Sequence, residues 1–194
     1  MQHLVYLHGF LSSPQSEKAQ QTLAYAKRHL PALNVYTPQL PGDINCAVRK
    51  IEALVVSLPS TRIGFIGSSM GGFLSTYILE KYADKFDAKA VLINPAVAPY
   101  ELLADYIGEH QNPYTQERFT INPDSIKSLR AFSSDTISQA NRYQVMLQTE
   151  DETLDYRLAV AKYSKANLII EPGGNHSFEG YTQHLEQMFA FLRQ

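Results

Sequence analysis

Apolar residues along this chain fall into two alternating patterns. Leu4–His8, Ile63–Gly67, Ala90–Asn94, Gln144–Gln148 and Asn167–Glu171 are short runs, nearly continuous in Val, Ile, Leu and Met. Strands of a parallel sheet, buried on both faces, require such runs. Asn34–Thr37 is shorter and is stopped by Pro38, which places it at a sheet edge. Between the runs, apolar residues recur at offsets of three and four. Ala19, Leu23, Ala26 and Leu30 form one such stripe, with Ser13-Pro14 ahead of it as a cap followed by a first-turn proline. Ile44, Val48, Ile51, Val55 and Leu58 form a second, and Tyr181, Leu185, Met188 and Leu192 a third. Each predicts an amphipathic helix lying on a sheet.

Strand alternating with helix over the whole length predicts a single doubly wound α/β domain, residues 1–194, with a mainly parallel sheet of about six strands. Right-handed crossovers put the carboxyl ends of all the strands along one rim, where open α/β sheets bind ligands. One interval breaks the rhythm. Residues 97–142 show no strand pattern but carry Tyr100, Tyr106, Tyr114, Phe119 and Phe132 among Pro and Asn. So long a connection predicts a partly helical, lid-like insertion over the rim, with Tyr100–Ile107 helical. Its aromatics, Tyr100, Tyr106, Tyr114 and Phe119, are candidates for lining a pocket.

Composition narrows the function classes. The chain has 194 residues, 44% hydrophobic and 19% charged, and a formal net charge of −2. It has no Lys/Arg-rich run, so a nucleic-acid partner is not expected. Cys46 is the single cysteine, which excludes an intrachain disulfide and a multi-cysteine metal site. Met1–Leu7 is apolar but lacks a basic leader and a cleavage site, and no apolar stretch approaches the roughly 20 residues that span a bilayer. A cytoplasmic protein without a membrane partner is expected.

The chemistry concentrates after the strands. Gly67-Ser68-Ser69-Met70-Gly71 is G-x-S-x-G between a strand and a helical pattern that runs to Tyr82. In that context the motif makes a nucleophile elbow, with Ser69 projected above the sheet beside a helix N-terminus. Gly67 and Gly71 remove side chains that would collide in so tight a turn. A phosphate-binding turn is the rival reading, but the Lys-Ser/Thr ending of a P-loop is missing.

A serine hydroxyl needs a base. His176 follows the last strand in Gly173-Gly174-Asn175-His176, and His8, at the end of the first strand, is the competing histidine on that rim. Glu150, Asp151 and Glu152 compete for the third place, with Asp155 four residues on. Asp151 ranks first, Asp155 second and Glu150 third, with Asp155 also suited to capping the next helix. The order Ser69, Asp151, His176 is that of α/β-hydrolases. An oxyanion hole would take the N–H of Met70 and, from the His8-Gly9-Phe10 loop, the N–H of Phe10, with Gly9 allowing close backbone approach.

Further segments carry a resemblance. They are Tyr6-Leu7-His8-Gly9-Phe10, Pro38-Gln39-Leu40-Pro41, Asn94-Pro95-Ala96, Asn112-Pro113-Tyr114-Thr115, Leu154-Asp155-Tyr156-Arg157 and Gly173-Gly174-Asn175-His176. With the elbow, they resemble the small bacterial YqiA/YcfP-type esterases of the α/β-hydrolase superfamily over essentially the full length. The resemblance implies a three-layer sandwich. It also implies hydrolysis of short acyl esters and acyl-CoA thioesters with no cofactor and no metal. Where that family tends to carry Gly before the acid, this chain has Glu150, whose carboxylate would raise the pKa of Asp151 or attract a cation. The same triad also serves lyases, carbon–carbon bond hydrolases and acyltransferases; a non-catalytic binding module is the remaining alternative.

Overall fold

A computed structural model describes residues 1–194. Its main sheet has six strands: β1 (His3–Leu7), β2 (Asn34–Tyr36), β3 (Arg62–Ser68), β4 (Asp87–Ile93), β7 (Tyr143–Gln148) and β8 (Asn167–Glu171). They lie in the order β2-β1-β3-β4-β7-β8, and every pairing is parallel. The chain steps outward from β1 to β2, then returns to the other side of β1 for β3. The crevice between the carboxyl ends of β1 and β3 is therefore the switch point where ligands gather.

Period-two alternation divides the strand residues between two cores. Leu4 and Tyr6 of β1, Ile66 of β3 and Val91 and Ile93 of β4 face one side, where α1 (Glu17–His29) and α7 (Tyr181–Arg193) cover them through Ala19, Ala26, Leu185, Met188 and Phe189. Val5, Leu7, Phe65, Leu92 and Val145 face the other. There α2 (Ile44–Ser57), α3 (Met70–Lys81) and α6 (Tyr156–Lys162) pack with Val48, Ile51, Val55, Phe73, Leu74, Ile78 and Ala159. α3 is buried nearly all round, from Met70 to Leu79, which is why its sequence carries no amphipathic stripe. No helix is long and apolar enough to cross a membrane.

Three expectations need correction. Asn167–Glu171 is not buried on both faces: β8 is the edge strand after β7, none of its residues is buried, and Ile170 is exposed. Ser13-Pro14 does not open a helix. Ser16 N–H donates to Ser13 O at 3.0 Å, so Pro14 takes the second position of a turn, and α1 starts at Glu17 with Ser16 at its cap. Residues 97–142 do contain strands. After α4 (Pro99–Leu102) and a 3₁₀ turn (Leu103–Tyr106), β5 (Gly108–Gln111) and β6 (Arg118–Ile121) form an antiparallel hairpin, followed by α5 (Pro123–Ala131). Each of the two strands has four residues, and only Ile121 is buried, so neither produces a readable apolar run. α5 begins with a capping box at Asn122 and Ser125 and sends Leu129 into the main core. The segment is thus partly a crossover between β4 and β7 and not only a covering flap.

Candidate active site

The candidate site is built on strand ends. Ser69 follows β3 directly with φ 54° and ψ −116°, a conformation L-residues rarely adopt. It is over-determined from both sides. Ser69 N–H donates to Ile93 O at 3.0 Å, and Ser69 O accepts from Gly72 N at 2.9 Å and Ala96 N at 3.1 Å. A Cβ on Gly67 would sit 2.4 Å from Gly71 O, and one on Gly71 would sit 2.0 Å from Leu7 O. The glycine at 71 thus answers to the neighbouring strand β1 as much as to the turn itself. Gly9 is less constrained, since a Cβ there would lie 3.5 Å from Ser69 Cβ, an ordinary contact.

Three side chains from distant parts of the sequence lie in series. Nε2 of His176 is 3.1 Å from Ser69 Oγ, and its Nδ1 is 2.8 Å from Asp151 Oδ2. The Asp151 side chain is 2% exposed, and its Oδ1 also accepts from the backbone N–H groups of Thr153 and Leu154, each at 2.9 Å. A carboxylate so satisfied is fixed in orientation and presents a lone pair to Nδ1–H. Nε2 then faces the Ser69 hydroxyl as an acceptor.

The other candidates lie elsewhere. Asp155 caps α6, accepting from Arg157 N at 2.9 Å, and Glu150 is exposed. His8 is buried. Its Nδ1–H donates to Gly9 O at 2.9 Å and its Nε2 accepts Leu40 N–H at 3.0 Å, roles that require a neutral ring. Burial holds its pKa below the ordinary histidine value, consistent with that.

Next to Ser69 stand two backbone donors. Met70 opens α3, where a first-turn N–H has no intrahelical acceptor. The N–H of Phe10 donates to no backbone group. His8 holds the carbonyl of the Gly9–Phe10 peptide, and across a trans peptide this turns the N–H to the opposite side.

A cavity of about 310 Å³ opens at this point, lined by Phe10, Ser69, Met70, Ala96, Pro99, Leu102, Leu103, Tyr106, Glu152, Thr153 and Leu154. A smaller, more enclosed apolar cavity of about 60 Å³ lies behind Phe10, Met70 and Leu103, with Phe119 and Ile121 in its wall. Of the four predicted aromatics, Tyr106 lines the larger cavity and Phe119 the smaller. Tyr100 and Tyr114, expected to line a pocket, line neither. Tyr100 packs against the core with Arg130 stacked 4.6 Å from its ring, and Tyr114 projects outward from the hairpin turn, 53% exposed.

Sequence reasoning gave no role to the residues that hold the His176 loop. Asn94, buried and at φ 39°, accepts Gln148 N–H and donates from Nδ2 to Asn175 O at 3.0 Å and His176 O at 3.4 Å. Gln148 accepts from Asn175 N and Glu179 N. Glu152 Oε2 accepts His176 N–H at 2.9 Å, and Lys18 Nζ donates to Ser177 O at 2.8 Å. The readable signal was a polar residue ending an apolar strand, as at Gln148 and Asn94. No group of three or more His, Cys, Asp or Glu side chains is disposed to hold a metal ion.

A parallel sheet in this order, with a serine at a strained strand-to-helix turn beside the switch point, defines an α/β-hydrolase fold. The chain belongs to the uncharacterised protein family UPF0227, the YcfP/YqiA family, whose model matches residues 3–193. Solved structures agree on the fold. The α/β-hydrolase domain-containing protein 10 from mouse is 15% identical with a TM-score of 0.73, covering 98% of this chain and 89% of its own. Est1E from Butyrivibrio proteoclasticus, solved with ferulic acid bound, is 14% identical with a TM-score of 0.68, covering 100% and 87%. The monoacylglycerol lipase of Paleococcus ferrophilus is 14% identical with a TM-score of 0.68, covering 97% and 94%.

Proposed function

We propose that the protein is a serine esterase that cleaves short acyl esters through an acyl-enzyme on Ser69. The observation that carries this reading is the hydrogen-bonded series Asp151–His176–Ser69 beside two unengaged backbone N–H groups. His176 Nε2 takes the hydroxyl proton as Ser69 Oγ attacks the ester carbonyl, and Asp151 stabilises the imidazolium that forms. The Phe10 and Met70 N–H groups receive the developing oxyanion. His176 then returns the proton to the leaving oxygen. Water, deprotonated by the same imidazole, clears the acyl group.

The smaller cavity supports a short acyl chain, because its volume admits only a few heavy atoms. Pro99, Leu102, Leu103 and Tyr106 roof the larger one, which supports a lid-like role for residues 97–142. Ser69→Ala should lower kcat/KM on p-nitrophenyl acetate by about 10³-fold or more, and a fluorophosphonate probe should label Ser69 alone. Undiminished turnover by Ser69→Ala would end the mechanism. A panel of esters and thioesters of rising chain length separates the two leaving-group chemistries.

A further inference from the structure

The cavity above Ser69 is lined mainly by apolar side chains, with Ser69, Tyr106, Thr153 and Glu152 as its polar ones. Among them Glu152 alone carries a formal charge; His176, 3.1 Å from Ser69 Oγ, is the basic group beside it, and Arg157 meets Glu152 only in the adjoining pocket over Asp151 and Asp155. The Glu152 carboxylate is fixed: Oε2 accepts the backbone N–H of His176 at 2.9 Å. That bond holds the Glu152 pKa below the ordinary glutamate value, so the group is anionic at neutral pH. Lys18 donates to Ser177 O and lines no part of the cavity.

Its position relative to the reaction matters. In the proposed mechanism the leaving oxygen collects its proton from His176, so the alcohol half of the ester must lie on the His176 side. The Phe10 and Met70 donors and the small apolar cavity lie on the acyl side. Glu152 lines the cavity and is bonded to the backbone of His176, which puts its carboxylate on the same side as the proposed proton donor to the leaving oxygen.

We propose that Glu152 determines specificity for the leaving alcohol, selecting esters whose alcohol carries a cation a few atoms from the ester oxygen, such as an amino or quaternary ammonium alcohol. Alcohols with an anion at that distance are disfavoured. The inference rests on the esterase reading and extends it to the charge of the substrate.

Three acetates of similar size test it: acetylcholine, its neutral isostere 3,3-dimethylbutyl acetate, and the anionic 2-sulfoethyl acetate. Wild type should prefer cation to neutral and neutral to anion, each by about 3- to 10-fold in kcat/KM. Glu152→Gln keeps an oxygen for the His176 N–H while removing the charge, and should bring both ratios near unity. Glu152→Lys should invert them. In wild type, raising salt from about 20 mM to about 500 mM should shrink both ratios without any substitution. Ratios that stay fixed in Glu152→Gln, or are near unity in wild type at low salt, overturn the proposal. The esterase reading fails separately, if the neutral acetate is not cleaved or is cleaved equally well by Ser69→Ala.

Discussion

The carboxyl rim of the sheet and the segment 97–142 meet at one cavity but are built on opposite terms. On the rim, Ser69, Asp151 and His176 each lie within about five residues of a strand end and are held by several hydrogen bonds to neighbouring strands or loops. The segment contributes a short polar hairpin, a four-residue helix and exposed apolar side chains, Leu102, Tyr106 and Ile107. Its polar anchors on the rim are buried Asn112, whose Nδ2 donates to Ser12 O at 2.9 Å, and Glu117, which accepts Gly42 N–H at 3.2 Å, and its anchor in the core is Leu129. The groups that the proposed reaction needs in a fixed geometry sit where cooperative structure is densest, whereas groups that only shape the cavity sit where local opening is cheap.

The harshest way to break that contrast is at Gly71. A Cβ there would meet Leu7 O at 2.0 Å, and Leu7 lies in β1, paired on both sides by β2 and β3. Neither backbone can yield without disturbing the centre of the sheet. Gly71→Ala should cost roughly 3 kcal/mol or more, read as a loss of soluble protein or a large fall in the urea midpoint. A wild-type midpoint would mean that the rim is softer than its packing indicates.

Asn112 gives the next effect. Its Oδ1 also accepts from Tyr114 N at 2.9 Å and Thr115 N at 3.2 Å, so Asn112→Ala strands three backbone groups at once. About 2 kcal/mol of stability should be lost, since buried polar groups would go unpaired. The loss should be confined to faster hydrogen exchange in 97–142 and in the loop after β1. Esterase turnover should fall by about 10-fold as the Phe10 donor loses its support. Tyr114→Ala, at an exposed tip of the same hairpin, should stay within about 0.5 kcal/mol of wild type. Equal effects from both substitutions would show that Asn112 is no anchor.

The same contrast decides what could be read from the sequence. Strands buried on both faces must be apolar throughout, so β1, β3, β4 and β7 are visible as runs; β8 is visible by its apolar Leu168–Ile170 although it is an edge strand with no buried residue, and the residues after all of them are marked by position alone. The G-x-S-x-G spacing is legible because Gly67 and Gly71 answer to backbone atoms that no rotamer change can move. The hairpin was hidden because its strands are short: Gly-Glu-His-Gln has no apolar period, and Arg-Phe-Thr-Ile alternates polar and apolar over only four residues, the shortest span that signals a strand. Tyr114 was misread for a related reason. Composition says that aromatics are present in a segment, but not which way each one faces. The supports from Asn94, Gln148 and Asn112 depend on contacts between residues far apart in the chain, and no local pattern encodes those.

The smallest expected effect concerns His8, where rim and segment touch the same loop. Burial lowers its pKa in the folded protein below the value of about 6.5 expected unfolded. A depressed folded pKa contributes stability above pH 6.5, and that contribution is lost as pH falls below it, with a slope of at most about 1.4 kcal/mol per pH unit. The structural reason is that a protonated Nε2 cannot accept the Leu40 N–H, so the ring that holds Gly9 O, and through it aims the Phe10 N–H, is released. Wild type should therefore lose thermal stability between about pH 6.5 and 5 more steeply than His8→Asn, whose Tm starts lower but changes less. Stability is the cleaner readout, because turnover depends on groups other than His8 as well. Parallel Tm curves for the two proteins would remove His8 from the account of how the Gly9-Phe10 loop is held.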